Sequence, residues 1–98
     1  MEGRSVSGFN TTNGHAVVMY DYVTGNEARE IKRVSEQNGG GPDALEKAQD
    51  HALAMIVREL DGSPDDLVVR IGNLPLADYS EIVAAVTDLL NPKKKSQE

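Results

Sequence analysis

Two histidines, one acid-rich turn and a run of glycines are the residues of this chain whose types and spacing could do chemistry. His15 and His51 have no HxxxH or HxxE partner, so the spacing that brings two metal ligands onto one helix face is missing. Asp61-Gly62-Ser63-Pro64-Asp65-Asp66 crowds three carboxylates into six residues. A calcium loop wants acids or amides at alternating positions, a central Gly and a Glu about twelve residues on. Here the Gly comes second and Pro64 interrupts the run, whereas a helix stop followed by a capped helix start accounts for every residue. Gly39-Gly40-Gly41 lacks the following Lys-Ser/Thr of a phosphate loop and comes after a helical pattern, which favours a linker. No Ser or Thr sits with a His in an elbow or triad pattern. The chain has no cysteine, which removes disulfides, thiolate metal sites and thiol nucleophiles together and is compatible with a reducing cytoplasm. No catalytic, metal or cofactor residues are expected from these patterns.

The elements that would position any site follow from caps and periodicity. His15 to Val23 is dense in β-branched and aromatic residues, a strand signal, and Asn13-Gly14 can supply the positive φ angles of a tight hairpin with a partner strand at 4–9. Four helix starts follow: Thr24-Gly25-Asn26-Glu27 as a capping box, Asp43-Ala44-Leu45-Glu46 after Pro42, Ser63-Pro64-Asp65-Asp66, and Asp78-Tyr79-Ser80-Glu81. Matching stops at Asn38-Gly39, Gly62, Gly72-Asn73 and Asn91-Pro92 predict helices over 25–38, 43–61, 64–72 and 78–90. The second carries an apolar stripe of Leu45, Ala48, Ala52, Met55, Ile56 and Leu60, and the fourth one of Tyr79, Ile82, Val83, Val86, Leu89 and Leu90. The first has only the seam Ala28, Ile31 and Val34. Leu67-Val68-Val69 also reads as a strand, but the Ser63-Pro64 start favours helix. The expected fold is mainly α with a minor β part, a small bundle of three to four helices preceded by an N-terminal β-hairpin at about 4–23. It forms one domain over 1–92, with a disordered basic tail at 93–98.

Length and charge narrow the function classes. At 98 residues and 39 % hydrophobic content one core is possible, and with aromatics at 4 % it must be aliphatic. A core this thin makes homo-oligomerisation a natural way to bury more surface. No apolar run approaches the roughly 20 residues of a membrane span, and the N-terminus has no apolar stretch behind a basic start, so neither membrane insertion nor secretion is expected. The net charge is −6, and because Lys93–Glu98 holds three Lys and one Glu, residues 1–92 carry seven basic and fifteen acidic side chains, a balance of −8. Such a body repels a phosphate backbone, so no nucleic-acid partner is expected. Lys93-Lys94-Lys95 is weak as an anionic-surface patch and reads as a solvated end.

Three stretches then carry a resemblance. Tyr20-Asp21-Tyr22-Val23-Thr24-Gly25-Asn26-Glu27-Ala28-Arg29-Glu30-Ile31, then Glu46 to Leu60 with Asp61-Gly62-Ser63, then Leu74-Pro75-Leu76-Ala77-Asp78-Tyr79 run in this order. Together they resemble the tail assembly chaperones of long-tailed, siphovirus-like bacteriophages over about residues 14–91. The family-like positions are Asp21, Tyr22, Val23, Thr24, Gly25, Glu27, Asp61, Gly62, Ser63, Leu74, Pro75, Asp78 and Tyr79. Asn26, where many relatives carry a basic residue, and the loose Gly39–Pro42 linker depart from the pattern and bear on which partner surface is presented. The resemblance implies a non-enzymatic chaperone in the host bacterial cytoplasm, absent from the mature virion. It would bind and solubilise the tape-measure protein and help recruit tail-tube subunits, the latter through a form extended by a programmed frameshift. Lys93-Lys94-Lys95 is where A-rich codons would allow such a slip, and plain solubilisation explains the same residues.

Client contact is expected first from the hairpin (Val17, Val18, Met19, Tyr20, Tyr22) and from Met55 and Tyr79 on the helices, with core packing as the competing role of each. A second function class is an acidic inhibitor that imitates nucleic acid and binds a basic host enzyme. It would string acids along one face, whereas Glu27, Glu30, Asp43, Glu46, Asp50, Glu59, Asp65, Asp66, Asp78 and Glu81 mostly fall at helix N-termini, a distribution that capping explains better.

Overall fold

The computed structural model describes residues 4–91; the tri-lysine tail lies outside them. Along the chain come β1 (Val6–Asn10), β2 (Ala16–Tyr20), α1 (Gly25–Gln37), α2 (Pro42–Ile56), β3 (Val57–Leu60), α3 (Leu67–Gly72) and α4 (Leu76–Leu90). The fold is mainly α with a minor β part, as expected, and the N-terminal hairpin is present.

The sheet differs from expectation. It has three antiparallel strands in the order β1-β2-β3, because the second helix stops at Ile56 and the chain turns at once into β3. Val17 pairs with Leu60, Val18 with Glu59 and Met19 with Val57, with a bulge between Val18 and Met19. The predicted helix over 43–61 overran because Ile56 and Leu60 satisfy helical spacing as well as they satisfy a short strand. The deciding factor is tertiary. A two-stranded hairpin is marginal in water, and β2, buried along one face, has an edge whose backbone groups need partners.

Local starts and stops also shift. Thr24 and Glu27 form the predicted capping box, with Glu27 N–H donating to the Thr24 hydroxyl and Thr24 N–H to the Glu27 carboxylate. The Ser63-Pro64 start does not cap: α3 begins at Leu67, after Asp66 in left-handed conformation at φ 49°. The tight turn lies at Asp61-Gly62, with φ 54° and 85° and Leu60 and Ser63 exchanging backbone hydrogen bonds of 3.0 and 3.1 Å. Two successive positive φ angles are the signature of a hairpin turn, and Asp-Gly is among its favoured pairs. Asn13-Gly14 instead sits in a longer loop closed by Thr11 N–H on the His15 carbonyl at 2.9 Å, where only Gly14 has positive φ. Arg70 crosses from α3 to donate to the carbonyls of Leu60, Ser63 and Asp65, which braces the Asp61-Gly62 turn and the start of α3.

The core is aliphatic. Val17 and Met19 from β2, Val57 and Leu60 from β3, Ile31 from α1, Leu53 and Ile56 from α2, Ile71 from α3, and Ile82 and Val86 from α4 are buried together. Among the described residues no helix is long and apolar enough to cross a membrane.

Candidate functional site

The loop between β1 and β2 is held by carboxylates from two other elements. Asp78, in the first turn of α4, is fully buried, and its Oδ1 accepts from both the backbone N–H and the side-chain amide of Asn13, each at 3.1 Å. Glu81, one turn on, accepts from the Thr12 backbone N–H at 2.8 Å and from the Thr12 hydroxyl. From the end of β3, Asp61 accepts the Ala16 N–H at 2.9 Å and meets Nδ1 of His15 at 2.9 Å. The other ring nitrogen of His15 faces Asp78 Oδ2 at 3.8 Å, too far for a hydrogen bond, and Oδ2 has no other partner. An imidazole therefore stands between two carboxylates brought together from positions 15, 61 and 78.

His15 and the Ala16 N–H hold the Asp61 carboxyl below the usual carboxylate range, the histidine contact being the larger cause. At the other end of the hairpin, Arg4 grips Glu27 with two hydrogen bonds of 2.9 and 2.8 Å and lies over the rings of Tyr20 and Tyr22. The Arg4 contact, then the Thr24 N–H, lower the Glu27 pKa. Both nitrogens of His15 are turned to carboxylates rather than to a hydroxyl, so the geometry is that of a clamp on the loop. Among the described residues no three His, Asp or Glu side chains are placed to hold a metal ion.

A second feature has a different character. Where α1 and α4 flank α2, an open apolar groove of about 510 Å³ is lined by Ile31, Leu45, Ala48, Ala52, Val83, Val86 and Leu90, with Glu46 its one charged lining residue. Leu45 is 63 % exposed at its rim. A more polar groove of similar volume, about 520 Å³, lies beside it between α2, α3 and the start of α4 and carries exposed Val69 and Leu76 next to Glu46 and Asp50.

The residues expected to meet a client divide by strand alternation. Val17 and Met19 point into the core and are buried, which fits the competing role of core packing. Val18 and Tyr20 lie on the opposite sheet face, half-buried, and Tyr22 is exposed. Met55 and Tyr79 are half-buried against the core, with the Tyr79 hydroxyl 3.4 Å from the Gln49 side-chain oxygen. The groove residues Leu45, Val83 and Leu90 were legible as stripe members but not as an open face. The loop clamp was not legible at all, since Asp78 and Glu81 read equally well as a helix start.

Five of the residues that carry the resemblance lie at joints of the fold. Thr24 and Glu27 cap α1, Asp61-Gly62 makes the turn after β3, and Asp78 fastens α4 to the hairpin loop. No protein-family model, curated protein or solved structure matches this chain.

Proposed function

We propose that this protein is a non-enzymatic binding protein of the tail assembly chaperone type, which keeps a helical, aggregation-prone tape-measure protein soluble in the host bacterial cytoplasm and is absent from the finished virion. The observation that carries the reading is the open apolar groove between α1, α2 and α4 on an acidic chain. Helix-in-groove recognition needs such a trough with apolar anchors along it, and net negative charge keeps the loaded complex soluble. The motif resemblance supplies the client's identity. Recruitment of tail-tube protein through a frameshift-extended form, and assembly as a homo-oligomer, belong to the same proposal.

The inhibitor alternative draws less support. Glu27, Asp61, Asp78 and Glu81 are engaged in internal contacts rather than arrayed along one outer face.

Co-expression with the tape-measure protein of the same phage tests the proposal. The native chain should hold the tape measure in the soluble fraction, and Leu45→Asp, at an exposed rim position, should lose that effect while melting normally. A tape measure equally insoluble with and without the native chain would sink the chaperone reading; retention by Leu45→Asp would move the client off this groove.

A further inference from the structure

The sheet ends at β1 in an edge with no described strand beyond it. Val6, Ser7, Gly8 and Asn10 are exposed and Phe9 is half-buried. Which backbone groups face outward follows from the ladder. Asp21 N–H donates to the Ser5 carbonyl, and Thr11 N–H donates to the His15 carbonyl. In an antiparallel pair the hydrogen-bonded positions alternate, so Ser5, Ser7, Phe9 and Thr11 bond to β2. Val6, Gly8 and Asn10 therefore turn their N–H and C=O groups out to the open edge. The devices that usually protect such an edge, Lys, Pro, a bulge or an inward charge, are missing from Val6-Ser7-Gly8-Phe9-Asn10.

We infer that this edge pairs antiparallel with the β1 edge of a second copy, joining two three-stranded sheets into one of six strands about a two-fold axis at Gly8. Charge selects that occupant. The chain carries −6, so most faces of two copies repel, yet residues 5–11 hold no charged side chain. The hairpin edge is where two copies meet without opposing acids. Register follows from symmetry. Centring on Gly8 sets Val6 opposite Asn10 of the other copy and Ser7 opposite its Phe9, and lets every outward-facing group of both strands pair. This pairing is independent of what the apolar groove receives.

Sedimentation equilibrium of the native chain, with the V6K/N10K and V6E/N10K variants, tests the pairing. The native chain should associate to a dimer. V6K/N10K sets lysines opposite one another twice across the axis and should weaken the dimer at least about tenfold. V6E/N10K places opposite charges at the same two points and should restore it. Far-UV circular dichroism checks that each variant is folded, and on dimerisation amide exchange should slow at Val6, Gly8 and Asn10. A native chain that stays monomeric at about millimolar concentration, a limit near 4 kcal/mol of association energy, overturns the proposal. So does a dimer indifferent to V6K/N10K. Loss of a dimer through Leu45→Asp alone would place the contact at the groove and equally refute β1 pairing.

Discussion

Replacing Asp78 with alanine should destabilise the protein far more than its place near a helix start suggests. As a helix-start acid, Asp78 would contribute less than about 1 kcal/mol through the dipole. In the folded chain it is fully buried, and Oδ1 takes two hydrogen bonds from Asn13 that fasten α4 to the hairpin loop. Each hydrogen bond contributes about 1 kcal/mol net, and truncation of a buried side chain adds a cavity, so a loss of about 2–3 kcal/mol is expected. For a domain of this size that lowers the melting temperature by about 8–24 °C. Asp78→Asn keeps the Oδ1 acceptor and turns the partnerless Oδ2 into an amide facing His15, so it should stay within about 1 kcal/mol of the native chain. Urea and thermal unfolding followed at 222 nm, near neutral pH, would measure both. A double-mutant cycle with Asn13→Ala should return a coupling of at least about 0.5 kcal/mol. A cost under about 0.5 kcal/mol for Asp78→Ala, or a cycle without coupling, would refute the clamp.

Acid should loosen the hairpin. The carboxyls of Asp61 and Glu27 have folded-state pKa values below their ordinary ones, held there first by His15 and by Arg4 respectively. The stability they contribute is therefore complete above the ordinary carboxylate pKa of about 4 and is lost as pH falls through the lower folded values. Unfolding midpoints measured from pH 6 down to about 2 should fall, and Asp61→Asn with Glu27→Gln should flatten that slope; an unchanged slope would contradict the assignment. Thr24→Ala removes the hydroxyl that accepts the Glu27 N–H and should cost about 1 kcal/mol, read from urea midpoints at constant m-value. No loss there would mean that the Glu27–Arg4 contact alone sets the start of α1.

What the residues determined by themselves is whatever depends on near neighbours in the chain. Thr24 and Glu27 are three apart, so the capping box and the start of α1 were readable, as were the apolar stripes of α2 and α4 and the turn-rich stretch between β1 and β2. An aliphatic core followed from the scarcity of aromatic residues. Tertiary structure decided the rest. Val57 to Leu60 had helical spacing and became β3 because β2 needed a partner along its buried edge. Asp61-Gly62 looked like a helix stop and became a hairpin turn once β3 existed to be turned from. Asp78 and Glu81 looked like helix-start acids and became the clamp on the hairpin loop, a contact that spans 65 residues for Asp78 and Asn13. Residues so far apart share no local period or cap, and only the packed chain brings their hydrogen-bonding groups within reach.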